Sequence, residues 1–207
     1  GTVLAALWIA NLLLSFLVSS VVAVLPAIGD DLGATAVQLT LITATYTLAQ
    51  AIFNVLGGRF GHLWGLRRIL LLGMGLLSLT TLAAGLAPNI WVLLVVRFLQ
   101  GVGAAMVSSC PTAIAMNMAP TEQRGRVLGL LTSAVYLGLT LGPLLGGAVV
   151  TVLCWRWLFM VMAVPALRTW LVLRRFIRQE WHGGRGERLD LGGSLLFAGG
   201  LCLLTVG

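Results

Sequence analysis

The chain has 207 residues, of which 59% are hydrophobic and only 9% are charged, and its mean hydropathy is +1.02. Because a soluble domain carries about 25% charged residues, this composition excludes a soluble protein and indicates an integral membrane protein. The formal net charge of +7 does not indicate nucleic-acid binding, since most of the arginines lie between apolar segments rather than on one soluble face.

Apolar runs long enough to cross a bilayer, about 20 residues each, predict an all-α membrane protein. The predicted spans, in chain order, are residues 4–28, 39–61, 69–86, 91–116, 127–153, 158–173 and 189–207. Turn residues at 29–33, 87–89, 119–121 and 182–185 separate several of them. We therefore expect a six-helix unit over residues 1–173, a basic linker over 174–188, and a seventh transmembrane segment over 189–207.

The arginines predict the orientation of these spans. All 13 basic residues are arginine, and most of them fall in alternate connections. The second-to-third, fourth-to-fifth and sixth-to-seventh connections hold Arg67, Arg68, Arg124, Arg126, Arg174, Arg175, Arg178, Arg185 and Arg188, whereas the opposite connections hold Arg156 with Asp30 and Asp31. Positive charge favours the cytoplasmic side, so the sequence predicts a multi-pass protein of the cell membrane with a cytoplasmic N-terminus. The basic segment 174–188 has a second interpretation, binding of anionic lipid.

Arg97 lies about six residues, or roughly 9 Å, inside the fourth span. Burial of an arginine in a membrane costs about 2.5–3.5 kcal/mol on insertion scales, so we expect it to face a water-filled cavity or a polar partner. The candidate partners are Gln100, Asn11, Gln50 and Asn54. One interpretation is that Arg97 braces the bundle through hydrogen bonds, and the other is that it takes part in gating or substrate contact.

The fifth span contains Gly138, Gly142 and Gly146 at intervals of four residues, with Pro143 and Gly147 beside them. On a helix these three glycines form one bare stripe, which lets another helix backbone approach closely. We therefore expect a tight helix contact along this face. Pro143 removes one backbone donor, which a membrane helix tolerates where neighbouring protein or water satisfies the freed carbonyl.

Other chemical signals are weak. The six acids all lie in connections or at span ends, although proton relays use intramembrane acids. The histidines and cysteines have no metal-ligand spacing, so no metal and no cofactor are expected. Gly101 and Gly103 resemble part of a dinucleotide fingerprint, but without a preceding strand they indicate helix packing. The Trp-Arg-Trp sequence at 155–157 is interpreted as an aromatic anchor at the membrane interface.

Four segments, taken together, resemble the Major Facilitator Superfamily, specifically the N-terminal half of its multidrug–proton antiporter branch with fourteen spans. Residues 58–68, GRFGHLWGLRR, are similar to the loop motif between spans two and three. Residues 93–105, LLVVRFLQGVGAA, resemble the span-four motif that carries a membrane arginine, and residues 138–147 resemble the span-five antiporter motif. The start of the sixth span, WRWLF at 155–159, is also similar.

The resemblance implies that two six-helix halves rock about a central cavity. It implies an inner latch formed by the loop motif, a hinge-like contact between the halves at the span-five glycines, and a place for Arg97 near the cavity. The residues that carry these implied conformational roles are Gly58, His62, Gly65, Arg67, Arg68, Gly101, Gly138, Gly142, Pro143, Gly146 and Gly147. Three positions depart from the pattern: His62 and Leu63 stand where the loop motif has an acid and a base, and Leu17 stands where span one has an acid.

Two functions follow as hypotheses. The first is a transporter half that exports lipophilic or cationic small molecules by alternating access, with the lipid bilayer, a small-molecule substrate and a second half as partners. The second half is either the rest of a longer chain or a second copy in a parallel homodimer. The alternative is a non-transporting assembly or regulatory module that retains the fold, which the absence of intramembrane acids favours. No nucleophile–base arrangement predicts an enzyme.

Overall fold

The computed structural model describes the backbone of residues 2–177 and the side chains of that range apart from residues 55–60, 62 and 63. The described backbone is all-α. Its helices are α1 (Thr2–Leu32), α2 (Ala36–Trp64), α3 (Leu66–Gly85), α4 (Ile90–Ser108), α5 (Pro111–Met118), α6 (Arg124–Val152) and α7 (Trp155–Phe176), and a short 3-10 turn, Thr121–Gln123, precedes α6.

Six candidate membrane spans, with α4 and α5 together forming the fourth, match the first six spans expected from the sequence. Most helices extend a few residues past the apolar runs, because a helix can continue into the polar boundary of a bilayer. The helix α7 continues to Phe176. Most of the predicted basic linker and all of the predicted seventh segment lie in residues 178–207, outside the described residues.

The turn that the sequence predicts at residues 29–33 begins later in the structure, at Gly33. The helix α1 continues through Asp30 and Asp31 to Leu32, and Gly33, with φ of 59°, is the residue that ends it. A left-handed φ is costly for residues with a Cβ, so one glycine suffices to end this helix. Thr35 then begins α2 with a capping box in which its hydroxyl and the Gln38 side chain satisfy each other's backbone N–H groups.

The fourth span is interrupted, which the sequence analysis did not predict. Here α4 ends at Ser108 and α5 begins at Pro111. Proline has no N–H group and its ring disfavours the preceding helical turn, so a continuous helix is not maintained. The N–H group of Cys110 instead donates to the carbonyl of Val107 at 3.3 Å, which closes a tight turn between the two helices.

The helices pack around α1 and α3. The helix α1 lies along α6, while α3 packs against both α4 and α7, and α2 packs against α4. One apolar core cluster includes Leu66, Ile114, Val127 and Ile177, which lie near the ends of different helices, and a second includes Ile28, Ile90 and Trp155. These two clusters define two ends of the bundle.

The first core cluster marks what we call the arginine-rich end, since it adjoins Arg67, Arg68, Arg124, Arg126, Arg174 and Arg175. The second marks the opposite end, with Asp30, Asp31 and Arg156. The alternation of charged connections read from the sequence is therefore an alternation between two ends of the folded bundle.

Candidate functional site

The glycine stripe of α6 lies against α1, and the expected tight helix contact is confirmed. A Cβ atom placed on Gly138 would be 2.5 Å from the Leu12 carbonyl oxygen, and one on Gly142 would be 2.9 Å from the Ser20 backbone nitrogen. A Cβ on Gly146 would be 3.0 Å from the Ser20 carbonyl oxygen. Backbone of α1 therefore occupies the space that side chains would need along two turns of α6.

Polar side chains add to this contact. The Ser19 hydroxyl of α1 lies 3.1 Å from the carbonyl oxygen of Gly138, although it is also within reach of carbonyls in its own helix. Nearer the arginine-rich end, the Trp8 indole donates to the Ser133 hydroxyl at 3.2 Å. Small residues and interhelical hydrogen bonds hold membrane helices together where the lipid supplies no hydrophobic drive. The stripe thus holds α1 and α6 in close backbone contact.

Not all of the motif faces α1. Pro143 is exposed, and a Cβ added at Gly147 would meet no atom within 4 Å. The residues Gly138, Gly142 and Gly146 are therefore used inside this bundle, whereas the Pro143–Gly147 face of α6 remains uncovered by the described residues.

Arg97 lies in the middle of α4 with 1% of its surface exposed. Its guanidinium Nη1 donates to Gln100 Oε1 at 2.5 Å and its Nε donates to the Ile42 carbonyl of α2 at 3.4 Å. The guanidinium carbon also lies 4.7 Å from the centre of the Tyr46 ring, in a cation–π contact. Arg97 therefore meets polar partners, and all of these are uncharged.

The hydrogen bonds continue from α4 into α3. Gln100 Nε2 donates to the Thr81 hydroxyl at 2.8 Å, and Thr81 in turn donates to the Leu77 carbonyl at 2.6 Å. Gln100 and Thr81 are both fully buried. In this way one polar network connects α2, α4 and α3 around the arginine.

Gly101 brings Tyr46 close to Arg97. A Cβ atom at Gly101 would be 2.4 Å from the Tyr46 carbonyl oxygen and 2.9 Å from the Ala49 side chain. The backbones of α2 and α4 are therefore in contact one turn from the arginine. Tyr46 is 1% exposed, and its hydroxyl is a buried polar group without a hydrogen-bond partner among the described residues.

Of the four residues expected around Arg97, the structure brings only Gln100 to its guanidinium. Asn11 donates to the Leu7 carbonyl in its own helix, and Asn54 accepts from the Ser108 hydroxyl at 3.4 Å. Gln50 is half-buried on α2. Three further members of the network were not expected from the sequence: the Ile42 carbonyl, Tyr46 and Thr81. The signal for Tyr46 was its position on the second span, since a buried aromatic face attracts a guanidinium.

The α2–α3 connection joins the end of α7. Gly65 forms the turn with φ of 97°, which favours glycine, and is buried. Arg67 Nε donates to the Ile177 carbonyl, which caps α7, at 2.5 Å. We call this contact the latch, because the family resemblance implies a contact of this kind between the loop and a helix terminus. Arg68 is exposed beside it, and the side chains at Gly58 and His62 fall outside the described residues.

A second polar cluster closes the opposite end. Asp31 forms an ion pair with Arg156 and accepts a hydrogen bond from the Trp155 indole at 3.0 Å, and Arg156 also donates to the Ala87 carbonyl at 3.3 Å. The aromatic-anchor interpretation is wrong for Trp155, which is 1% exposed and packs inside the bundle, while Trp157 stays exposed. The indole N–H finds an acceptor in Asp31, which favours burial.

Nothing in the described residues favours a metal site, since no group of three potential metal-ligating side chains lies together there. The arrangement instead offers a buried cation held by neutral groups, a close glycine contact, and a latch at the arginine-rich end. These features can position helices relative to one another, and the cation can exchange hydrogen-bond partners if the helices move.

Comparison with known proteins gives a consistent result. The family model of the Major Facilitator Superfamily matches residues 7–205. The chain is 35% identical over 199 residues to the lincomycin resistance protein of Streptomyces lincolnensis, and 38% identical over 184 residues to the puromycin resistance protein pur8 of Streptomyces alboniger. These alignments cover 95% and 87% of this chain but only 40% and 36% of the relatives.

Solved structures agree on the fold. The peptide transporter POT superposes with a TM-score of 0.79 at 16% identity, covering 98% of this chain and 44% of that one. The proton:xylose symporter XylE gives a TM-score of 0.74 at 15% identity, covering 84% of this chain and 44% of that one. The chain thus spans less than half the length of the transporters that it matches. It belongs to the Major Facilitator Superfamily.

Proposed function

We propose that this chain is the N-terminal half of an exporter of lipophilic or cationic small molecules, working by alternating access with a second half. The curated relatives support an exporter, because several are named as antibiotic or multidrug resistance proteins. Coverage of 44% of two solved transporters supports a half. The structural observation that carries the proposal is a polar face on a membrane helix that the described bundle leaves uncovered.

That polar face lies on α2. Its side chains, spaced three and four residues apart on one side of the helix, are Thr40, Thr43, Thr47, Gln50 and Asn54, and all are exposed or half-buried. Only 17% of the apolar segment of α2 is buried, compared with 56% for α3. A polar stripe facing lipid would be unfavourable, whereas one facing a water-filled path or another protein half is typical of a transporter. Gln50 and Asn54 are therefore proposed to line the transport path.

The second half would cover α2 and α6 together. The apolar segment of α6 is also only 17% buried, and its uncovered side includes Pro143 and Gly147. Parallel repeats related by an axis along the membrane normal are the architecture that such halves form. The partner is either the remainder of a longer polypeptide or a second copy of this chain, and the mass of the purified protein in detergent separates these two arrangements.

Arg97 is proposed to take part in transport rather than only to brace the bundle. All of its described contacts are with neutral groups, and Asp31 in the last turn of α1 pairs with Arg156 instead. A neutral side chain could brace the same helices without burying a charge. Leu17, where the family pattern has an acid, is completely buried among apolar residues. The neutral contacts of Arg97 and the buried Leu17 do not support proton coupling, so the proposal does not include it.

The proposed orientation places the arginine-rich end in the cytoplasm and the α6–α7 connection outside. Cys154 lies in that connection and is exposed, whereas Cys110 is buried. In a Cys110→Ala, Cys202→Ala background, we expect a membrane-impermeant maleimide to label Cys154 in intact cells. Arg126→Cys, placed in a cysteine-free background at the arginine-rich end, should be labelled only after permeabilisation. The reverse pattern would contradict the orientation.

The polar stripe provides the test of function. In bacteria that lack their own drug exporters, cells producing this chain with its second half should accumulate less ethidium than cells with an empty vector. The double change Thr43→Val and Thr47→Val keeps the side-chain shape and removes two hydroxyls. A hydrogen bond to the substrate contributes about 1 kcal/mol, which corresponds to about a fivefold change in rate. We therefore expect the double variant to export about fivefold more slowly for each such bond that it loses.

The control is Thr45→Val, which lies on α2 but off the stripe. Its hydroxyl donates to a carbonyl of its own helix, as those of Thr43 and Thr47 also do, so the two variants differ in which side of α2 loses hydroxyls. The Thr45→Val variant should export like the unmodified protein. Cells that produce the unmodified protein in their membrane could instead accumulate as much ethidium as cells with the empty vector. In that case the exporter proposal fails, and the non-transporting module becomes the better explanation.

A further inference from the structure

A cavity at the arginine-rich end lies between the α2–α3 connection and the last turns of α7. It is lined by Arg67, Leu171, Arg174 and Arg175 and has a volume of about 470 Å³. Among the described residues, none that lines this cavity is acidic, and the described lining combines three guanidinium groups with one aliphatic side chain. Such a wall matches an anion that carries an apolar part.

Contacts elsewhere in the bundle hold the cavity wall in place. Arg67 is fixed by its bond to the Ile177 carbonyl. The guanidinium of Arg174 lies 5.3 Å from the centre of the Trp170 ring, and the Trp170 indole donates to the Leu71 carbonyl of α3 at 2.9 Å. These contacts hold Arg67 and Arg174 in place. Arg174 and Arg175 are exposed, and both line the cavity.

The apolar surface below the arginines continues along α7. Val164, Leu167 and Leu171 are about half exposed, at 52%, 50% and 51%. Their spacing of three and four residues places them in one row on the helix. The row begins beside the arginines and runs toward the middle of the membrane. Exposed Arg168 flanks this row, so a phosphate bound by the arginines would have beneath it an apolar track for acyl chains with one further cation at its side.

We propose that this cavity binds the phosphate of an anionic phospholipid in the adjacent leaflet, with its acyl chains lying along Val164, Leu167 and Leu171. Guanidinium groups bind phosphate oxygens through paired, charge-assisted hydrogen bonds, and basic pockets next to membrane helices bind anionic headgroups. Because Arg67 both lines the cavity and holds the end of α7, the bound lipid would sit at the latch and stabilise it. The proposal depends on the fold and is independent of transport.

Native mass spectrometry of the purified protein in detergent, titrated with phosphatidylglycerol or phosphatidylcholine, tests this proposal. We expect preferential retention of phosphatidylglycerol. The change Arg174→Gln with Arg175→Gln should weaken its binding roughly thirtyfold, if each arginine contributes as surface arginines do near anionic lipid. The matched control, Arg124→Gln with Arg126→Gln, removes the same charge at the same end but outside the cavity and should bind nearly as the unmodified protein does.

Two further variants and a competition with inorganic phosphate distinguish lipid binding from binding of free phosphate and from loss of binding through misfolding. Leu171→Gln should weaken phosphatidylglycerol binding, and inorganic phosphate in large excess should not displace the lipid. Arg174→Lys with Arg175→Lys keeps the charge but loses the forked hydrogen bonds, so it should bind more weakly than the unmodified protein and more tightly than the glutamine variant. The proposal is overturned by equal binding of both lipids, by equal loss in the two glutamine variants, or by displacement with inorganic phosphate.

Discussion

Replacing Gly142 with leucine should prevent α1 and α6 from closing against each other. A Cβ atom there would lie 1.9 Å from the Ser19 hydroxyl oxygen and 2.9 Å from the Ser20 backbone nitrogen. The Ser19 hydroxyl can rotate away, but the backbone of α1 cannot, and leucine adds three more carbons. Overpacking of a core costs about 1–3 kcal/mol, and we expect this variant to reach or exceed the upper value. The measurement is the melting temperature and monodisperse fraction in detergent.

The control is Gly129→Leu, on the same helix at an exposed glycine where an added Cβ meets no atom within 4 Å. It should melt like the unmodified protein, and Gly142→Ala should lie between the two leucine variants. Equal melting of Gly142→Leu and Gly129→Leu would show that the stripe is not a close contact. Gly147→Leu is a further comparison, because it should leave this half folded and reduce transport only if the second half packs on that face of α6.

Replacing Arg97 with leucine should abolish transport while leaving most of the protein folded. The substitution removes a fully buried charge whose described partners are Gln100, the Ile42 carbonyl and the Tyr46 ring. Leucine removes the desolvation cost of the buried charge but leaves the Gln100 side-chain carbonyl oxygen without its donor, so we expect a loss of about 1–3 kcal/mol in stability rather than loss of the fold. Transport should fall at least tenfold, measured as dye flux per folded molecule.

Two variants distinguish a transport role from bracing. Gln100→Leu keeps the guanidinium but leaves its Nη1 without the acceptor at 2.5 Å, which should destabilise the fold by about 2–3 kcal/mol. Arg97→Lys keeps the charge and loses the forked geometry, so its flux should lie between those of the arginine and leucine forms. If Arg97→Leu lowers the melting temperature and transports normally per folded molecule, Arg97 is a brace. Arg126→Leu, at an exposed position, serves as the neutral control.

The sequence predicted the helix contact at Gly138, Gly142 and Gly146 because a four-residue spacing determines a helix face. It could not predict that α1 is the partner. Spacing describes one surface, whereas the partner depends on how six helices arrange themselves, and the family resemblance suggested a contact between halves instead. The structure divides the motif, with the three-glycine stripe used internally against α1 and the Pro143–Gly147 side left uncovered.

The environment of Arg97 was predictable in kind and only partly in detail. Burial required polar partners, and Gln100 was found because it lies one turn away on the same helix. The Ile42 carbonyl and Tyr46 come from another helix, brought near by the close approach at Gly101. A backbone carbonyl carries no sequence signal, so this partner could not have been found. The break at Pro111 was visible in the sequence, but its apolar surroundings favoured a continuous span.

The central proposal is that this chain, with its second half, moves lipophilic or cationic small molecules across a membrane and that Arg97 takes part in this transport. The most direct measurement is the flux of a cationic dye across proteoliposomes containing the purified pair of halves, with and without an imposed pH gradient. The account predicts faster dye movement than in protein-free liposomes, and its loss in the folded Arg97→Leu variant. Dye movement no faster than in protein-free liposomes, under either condition, would contradict it.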